Sequence, residues 1–186
     1  LHATMYANRP EPAHLTRFYL AMSVGGVIGG LFCALLAPMI FNWGYEHPVL
    51  VVLAAFLVPQ KPLLPVFEKL SYYPRALRWL PVLALLLSLA GNRLVGDGLP
   101  VWAVGGCLVL SFIVTLILIG HRKAFAVALL CLMLFEGGWH RLQLSLQPGT
   151  MTRSYFGIYT VQDSGSSVRN LVHGTTVHGM QNRGSP

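Results

Sequence analysis

The sequence predicts an all-α integral membrane helical bundle of four or five spans, with a short C-terminal β-hairpin that starts a truncated soluble domain. Only 10% of the 186 residues are charged, whereas soluble domains carry about 25%. Long uncharged runs fill most of the chain up to Leu146, and after Gln147 the pattern becomes polar and alternating, as in strands. The predicted domains are therefore a transmembrane region over 1–147 and the beginning of a soluble β domain over 150–186.

The first span is the clearest, because no charged residue lies between Arg17 and Glu46. A helix needs about 20 apolar residues to cross a hydrocarbon core of about 30 Å. Phe18 to Phe41 is therefore predicted to cross, with a kink at Pro38. Two overlapping GxxxG steps in this run allow close helix approach in a membrane, and they predict a packing seam formed by Gly25, Gly26, Gly29 and Gly30.

The later spans follow the same logic with more charge at their ends. Leu77 to Val95, Leu99 to Gly120 and Ala124 to Leu144 are each long and apolar enough to be predicted as spans. Pro48 to Val58 is apolar but short, and it is either a short tilted span or a re-entrant arm. The count is thus five spans, or four with a re-entrant segment.

Basic residues predict the orientation. With five spans, the side that holds Arg9, Arg17 and the second and fourth loops carries eight of them, against three on the other side. Since cytoplasmic loops are enriched in Lys and Arg, the start of the chain is predicted to be cytoplasmic. Five spans place the tail outside and four return it to the cytoplasm. The net charge of +7 forms no basic stripe, so the lipid bilayer is the predicted partner and nucleic acid is not.

Two pairs of residues are candidates, a histidine pair as a metal site and a glutamate–histidine pair as a proton relay. His173 and His178 are five apart, which places them on opposite faces of a single strand, so no metal site is predicted. Glu136 and His140 are four apart and would share a helix face, as a proton relay needs. However, the intervening Gly137-Gly138-Trp139 favours a helix end at the headgroups. The cysteines lie far apart in apolar runs, without CxxC spacing.

The sequence of the tail is typical of β-strands joined by turns. Arg153 to Val161 is predicted to be one strand, Asp163 to Ser167 a turn, and Val168 to His173 the returning strand, with a third short strand over Thr175 to His178. A two-stranded hairpin alone is barely stable in water. The hairpin therefore needs partners, and we expect the chain to be a piece of a longer protein.

Two blocks of sequence carry a family resemblance. Arg17 to Phe32, followed by Ala37-Pro38, and the tail Arg153 to Val161 with Leu171 to Gln181 resemble bacterial proteins that fuse multi-pass helices to a spermidine synthase-like domain. The resemblance implies transfer of an aminopropyl group from decarboxylated S-adenosylmethionine to the polyamine putrescine. It also implies a multi-pass protein of the bacterial inner membrane.

The resemblance implies few site residues within this chain. The glycine-rich nucleotide loop, the ribose-binding acid and the amine-activating aspartate of the family have no counterpart here, so no catalytic residue and no bound cofactor is expected. Decarboxylated S-adenosylmethionine is the implied co-substrate of the full-length protein. His178 and Gln181 are implied to line the nucleotide side of its pocket, although His173-Gly174 replaces the Asp-Gly pair of soluble members. A transporter or permease and a simple anchor are the alternatives, and the oligomeric state is not indicated.

Overall fold

The computed structural model describes residues 2–164, 167–182 and 184. The chain forms two compact units, one of Leu1–Glu46 with Arg141–Pro186 and the other of His47–His140. The predicted boundary at 147–150 falls inside the first unit, and a separate soluble domain from 150 onward stays a prediction.

One long helical segment lies near the start of the first unit. After α1 (His2–Ala7) and a 3-10 turn, α2 (Leu15–Leu31) continues through a π-helical turn, Phe32–Leu36, into α3 (Ala37–Ile40). Pro38 has no N–H for the usual helical bond, and the wider π turn directly before it accommodates that loss. The predicted helix over Phe18 to Phe41 is confirmed, and Pro38 marks its irregular point.

The C-terminal part of the first unit is a sheet rather than a hairpin. Four strands form an antiparallel meander in the order β1-β2-β3-β4; they are β1 (Met151–Ser154), β2 (Gly157–Ser164), β3 (Val168–His173) and β4 (Thr176–Asn182). The prediction of one strand over Arg153 to Val161 is wrong, because the chain turns at Tyr155-Phe156. Gly157, with φ of 144°, permits that turn because it lacks a Cβ. Two central residues of the predicted turn, 165 and 166, lie outside the described part.

The second unit is a helical bundle. It contains α4 (Glu46–Leu57) from His47 onward, α5 (Pro65–Glu68), α6 (Pro74–Gly96), α7 (Val101–Ile117) and α8 (Arg122–Met133). The last three pack around a small apolar core, which consists of Ala84, Val114, Leu118, Ala128 and Cys131. The Phe135 ring fills the space above Gly91, where a Cβ would overlap it. Small residues thus let neighbouring helices approach closely, as in membrane bundles.

Within the described part of the chain, length and composition allow three helices to cross a membrane: Pro12–Ile40, Pro74–Gly96 and Arg122–Leu146. The other apolar helices are shorter. α4 has 12 residues and α7 has 17, which at about 1.5 Å per residue gives lengths of about 18 Å and 25 Å. The structure therefore supports a largely helical chain with three helices of membrane-spanning length.

The junction between α8 and α9 (Trp139–Leu146) corrects one prediction. Glu136 has ψ of 26° and Gly137 has φ of 106°, so neither residue is helical. The prediction that Glu136 and His140 share one helix face is wrong, because it required an unbroken helix. The helix also does not end at Gly137-Gly138, since it kinks there and continues as α9.

Candidate functional site on the C-terminal sheet

One face of the sheet carries a cluster of aromatic and imidazole rings. Tyr159 on β2 pairs with His173 on β3, and their rings stack with centroids 4.7 Å apart and planes inclined by 20°. The His173 ring also covers Gly157, where a Cβ would overlap the imidazole. Gly157 therefore serves both the turn before β2 and the seating of His173.

A β-bulge adds His178 to this cluster. Val172 pairs with Val177 while Leu171 pairs with Gly179, so His178 is the extra residue in β4. The rings of His173 and His178 have centroids 5.4 Å apart. The prediction that these histidines face opposite ways is wrong, because it placed them in one strand. They belong to neighbouring strands, and the bulge brings His178 onto the face of His173.

Gln181 lies on the same face, further along β4. It pairs with Arg169, and antiparallel partners share a face. Arg169 in turn pairs with Asp163. Asp163 is four residues after Tyr159 on β2, so both lie on the same face of the sheet. His178 and Gln181 are both exposed. The structure thus brings onto one surface the two residues that the resemblance implies, and their role in substrate binding stays a prediction.

We name Gly157, Tyr159, His173, His178 and Gln181 the histidine face. It offers flat rings for stacking and an amide that both donates and accepts hydrogen bonds. Among the described residues, no group of three or more His, Cys, Asp or Glu side chains could hold a metal ion. Planar, polar ligands suit this surface.

Tyr159 and Gly157 were not among the predicted site residues. The pairing register of β3 and β4 could have indicated the cluster around His173. The connection Gly174-Thr175 between these strands is two residues long, and Gly174 has φ of 61°. Such a glycine-containing pair is the mark of a tight hairpin. Counting outward from that connection places His173 opposite Thr176, on adjacent strands.

The opposite face of the sheet is fastened to the loop after the first long helix. The Arg153 guanidinium donates to both oxygens of Glu46, Nη1 to Oε2 and Nη2 to Oε1 at 2.7 Å each, and Nη1 also donates to the Trp43 carbonyl at 2.9 Å. Both charged side chains are largely buried, with 11% and 16% of their surface exposed. The bond to Glu46 raises the pKa of Arg153 above its ordinary value. The arginine therefore keeps its charge, and its stabilising effect, until pH rises through that raised pKa.

A second polar link strengthens the same junction. Asn42 donates from Nδ2 to the Ser145 carbonyl at 2.8 Å, and the Ser145 hydroxyl donates to Asn42 Oδ1. The loop of residues 41–46 is thereby tied to both α9 and β1. These bonds fix the sheet, and with it the histidine face, at the carboxyl end of α3.

The predicted glycine seam has no partner within the described part of the chain. A Cβ added to Gly25, Gly26, Gly29 or Gly30 would meet no atom within 4 Å. No residue of α2 is buried. The four glycines line an open side of the helix, and their role in helix packing stays a prediction.

Comparison with known proteins adds no family to these observations. No protein-family model, curated protein or solved structure matches the chain.

Proposed function

We propose that the chain is the multi-pass membrane region and first sheet of a membrane-anchored spermidine synthase-like protein. The full-length protein would transfer an aminopropyl group from decarboxylated S-adenosylmethionine to putrescine. The supporting observation is a four-stranded antiparallel meander directly after a set of apolar helices, with His178 and Gln181 on one exposed face. In the resembled family an N-terminal sheet precedes the nucleotide-binding domain, and the histidine face is the surface we assign to the co-substrate.

In this proposal the bundle crosses the bacterial inner membrane. The three long helices form crossings, and α7 is a fourth because its 17 residues reach the lower limit of about 17 for a span. α4 decides between four and five crossings. The glycine seam of α2 is assigned to packing against another membrane helix.

The polar junction favours five crossings. Arg153 and Asn42 tie the sheet to the carboxyl end of the first long helix, whereas Arg9 and Arg17 lie at its amino end. If the amino end is cytoplasmic, as its basic residues favour, the sheet lies on the other side of the membrane. The aminopropyl transfer would then take place outside the cytoplasm.

The activity is tested on the product of the complete gene, in isolated membranes supplied with decarboxylated S-adenosylmethionine and putrescine. We expect spermidine to form. Gln181→Ala should lower kcat/KM about tenfold, since one hydrogen bond to a charged ligand contributes about 1.5 kcal/mol. Met180→Ala is the matched control, because Met180 lies on the opposite face of β4, paired with Asn170.

The outcomes separate the alternatives. If no spermidine forms and decarboxylated S-adenosylmethionine does not bind, the proposal of an enzyme is rejected. Uptake of labelled putrescine into vesicles without spermidine formation would favour a transporter, and the absence of both would leave an anchor. Equal loss in Gln181→Ala and Met180→Ala would remove the histidine face from the site.

The side of the sheet is tested by labelling single cysteines, after the native cysteines are replaced by alanine. Thr175→Cys is placed in the exposed β3–β4 connection and Ala13→Cys at the amino end of α2. We expect an impermeant maleimide to label Thr175→Cys from the outer side and Ala13→Cys only in inverted vesicles. Labelling of both positions from the same side would contradict the five-crossing arrangement.

A further inference from the structure

A groove opens between α6 and α8 at one end of the second unit. Its volume is about 480 Å³, within the range of about 300–1,000 Å³ typical of small-molecule sites. Its walls are apolar, formed by Leu77 and Pro81 of α6 and by Ala124 and Val127 of α8. Three residues around the start of α8 also line it, namely His121, Arg122 and Lys123.

The whole surrounding end of the unit is basic. Ser71 Oγ and His121 Nε2 are 3.2 Å apart, which places the start of α6 beside the start of α8. The Gly120 N–H donates to Gln60 Oε1 at 3.5 Å, which adds the loop after α4. Residues 58–78 and 118–123 hold one acid, Glu68, and six basic residues, namely Lys61, Lys69, Arg75, Arg78, Arg122 and Lys123. Electrostatics therefore favours an anionic ligand here.

The groove combines basic residues with apolar walls, as a phospholipid combines an anionic headgroup with apolar acyl chains. α6 and α8 begin at this end, and each belongs to a helix of membrane-spanning length. If these helices cross a membrane, their first residues lie at the level of the headgroups, where an exposed tryptophan such as Trp79 is typical. From Arg122 to Val127 the helix rises about 7.5 Å. In that arrangement Arg122 and Lys123 would lie near the lipid phosphates, and the apolar walls would extend toward the hydrocarbon.

We propose that this groove binds an anionic phospholipid of the cytoplasmic leaflet. Arg122 and Lys123 contact the lipid phosphate, and the first carbons of one acyl chain lie along Leu77, Pro81 and Val127. Basic pockets between membrane helices bind anionic headgroups in this way. The proposal does not depend on aminopropyl transfer.

The charge requirement is tested by native mass spectrometry of the full chain, titrated with dioleoyl phosphatidylglycerol or with dioleoyl phosphatidylcholine. We expect tighter binding of the anionic lipid. Arg122→Gln/Lys123→Gln should weaken it about thirtyfold, because each side chain that contacts the phosphate directly contributes about a fivefold factor. Lys61→Gln/Lys69→Gln is the matched control, because it removes the same charge at the same end without touching the groove. Its loss should stay below about fivefold.

The apolar requirement is tested with a variant that keeps every charge. Val127→Trp should fill the groove and abolish selective phosphatidylglycerol binding. Leu130→Trp should leave it unchanged, because Leu130 is also exposed on α8 but lies outside the groove. Circular dichroism confirms that each variant is folded.

Several results would overturn the proposal. They are equal binding of the two lipids, equal loss in the two charge variants, and unchanged binding in Val127→Trp. Displacement of the lipid by inorganic phosphate alone would show a phosphate site that uses no acyl chain, and would also overturn it.

Discussion

Different kinds of interaction stabilise the inside of each unit. In the first, α2 has no buried residue, and polar bonds of Asn42 and Arg153 tie the loop after α3 to α9 and β1. In the second, α6, α7 and α8 pack side by side around small residues such as Ala84, Ser88 and Gly91, all buried. Similar apolar helices are thus exposed in one unit and packed in the other. The difference depends on which side chains contact their small residues.

The glycines make the contrast concrete. Gly91 is covered by the Phe135 ring, whereas Gly29 faces open space. A membrane provides no hydrophobic drive for helices to associate, so close packing depends on complementary shape. A small residue stabilises a helix contact only where a neighbour supplies the matching side chain.

The largest effect is expected at the polar junction of the first unit. Arg153→Gln leaves the largely buried Glu46 without its guanidinium partner, which should cost about 3 kcal/mol of unfolding free energy. Hydrogen exchange of the β1 amides should rise at the same time. Arg169→Gln is the control, because the Arg169–Asp163 pair is exposed, at 44% and 48%, and exposed pairs contribute about 1 kcal/mol or less. Equal losses in the two variants would show that the junction does not hold the sheet.

The next effect tests the packed glycine of the second unit. Gly91→Leu places a side chain where the Phe135 ring lies, and such overpacking should lower the unfolding free energy by about 2 kcal/mol. Gly29→Leu meets no atom within 4 Å and should be neutral or slightly stabilising, since leucine favours helices. Thermal unfolding in detergent measures both. A larger loss for Gly29→Leu would reveal a helix partner of α2 outside this chain.

Sequence patterns were sufficient wherever the structure is local. The uncharged run over Phe18 to Phe41 and the run over Leu77 to Val95 are both helical, because length and hydropathy alone specify such helices. The third tail strand, over Thr175 to His178, is also present and extends to Asn182. Local propensity and turn chemistry carried this information.

What sequence patterns missed is long-range or depends on register. Arg153 and Glu46 are 107 residues apart, and nothing in their spacing predicts that they pair. The cluster of His173 with His178 requires a bulge that shifts β4 by one residue, and such a shift exchanges the faces of a strand. The helix break at Glu136 was also hidden, since Gly137-Gly138 is equally compatible with a helix end.

A smaller effect is expected on the histidine face. Gly157→Ala adds a Cβ that overlaps the His173 ring at a φ of 144°, so it should cost about 1.5 kcal/mol. The His173 ring should also move, which a shift of its imidazole NMR signal would report. Gly179→Ala is the control, because a Cβ there meets no atom within 4 Å. An unchanged His173 signal in Gly157→Ala would contradict the seating of the ring on Gly157.

The smallest effect distinguishes two buried serines of the helical bundle. Ser88 accepts a hydrogen bond from Trp139 Nε1 at 2.9 Å, so Ser88→Ala leaves that donor unpaired and should cost about 1 kcal/mol. Ser111 Oγ has no partner among the described residues, and Ser111→Ala should change the unfolding free energy by less than about 0.5 kcal/mol. Unfolding in detergent, followed by tryptophan fluorescence, measures both. A loss for Ser111→Ala equal to that for Ser88→Ala would mean that Ser111 also has a partner, and that hydroxyl bonds rather than close packing hold the bundle together.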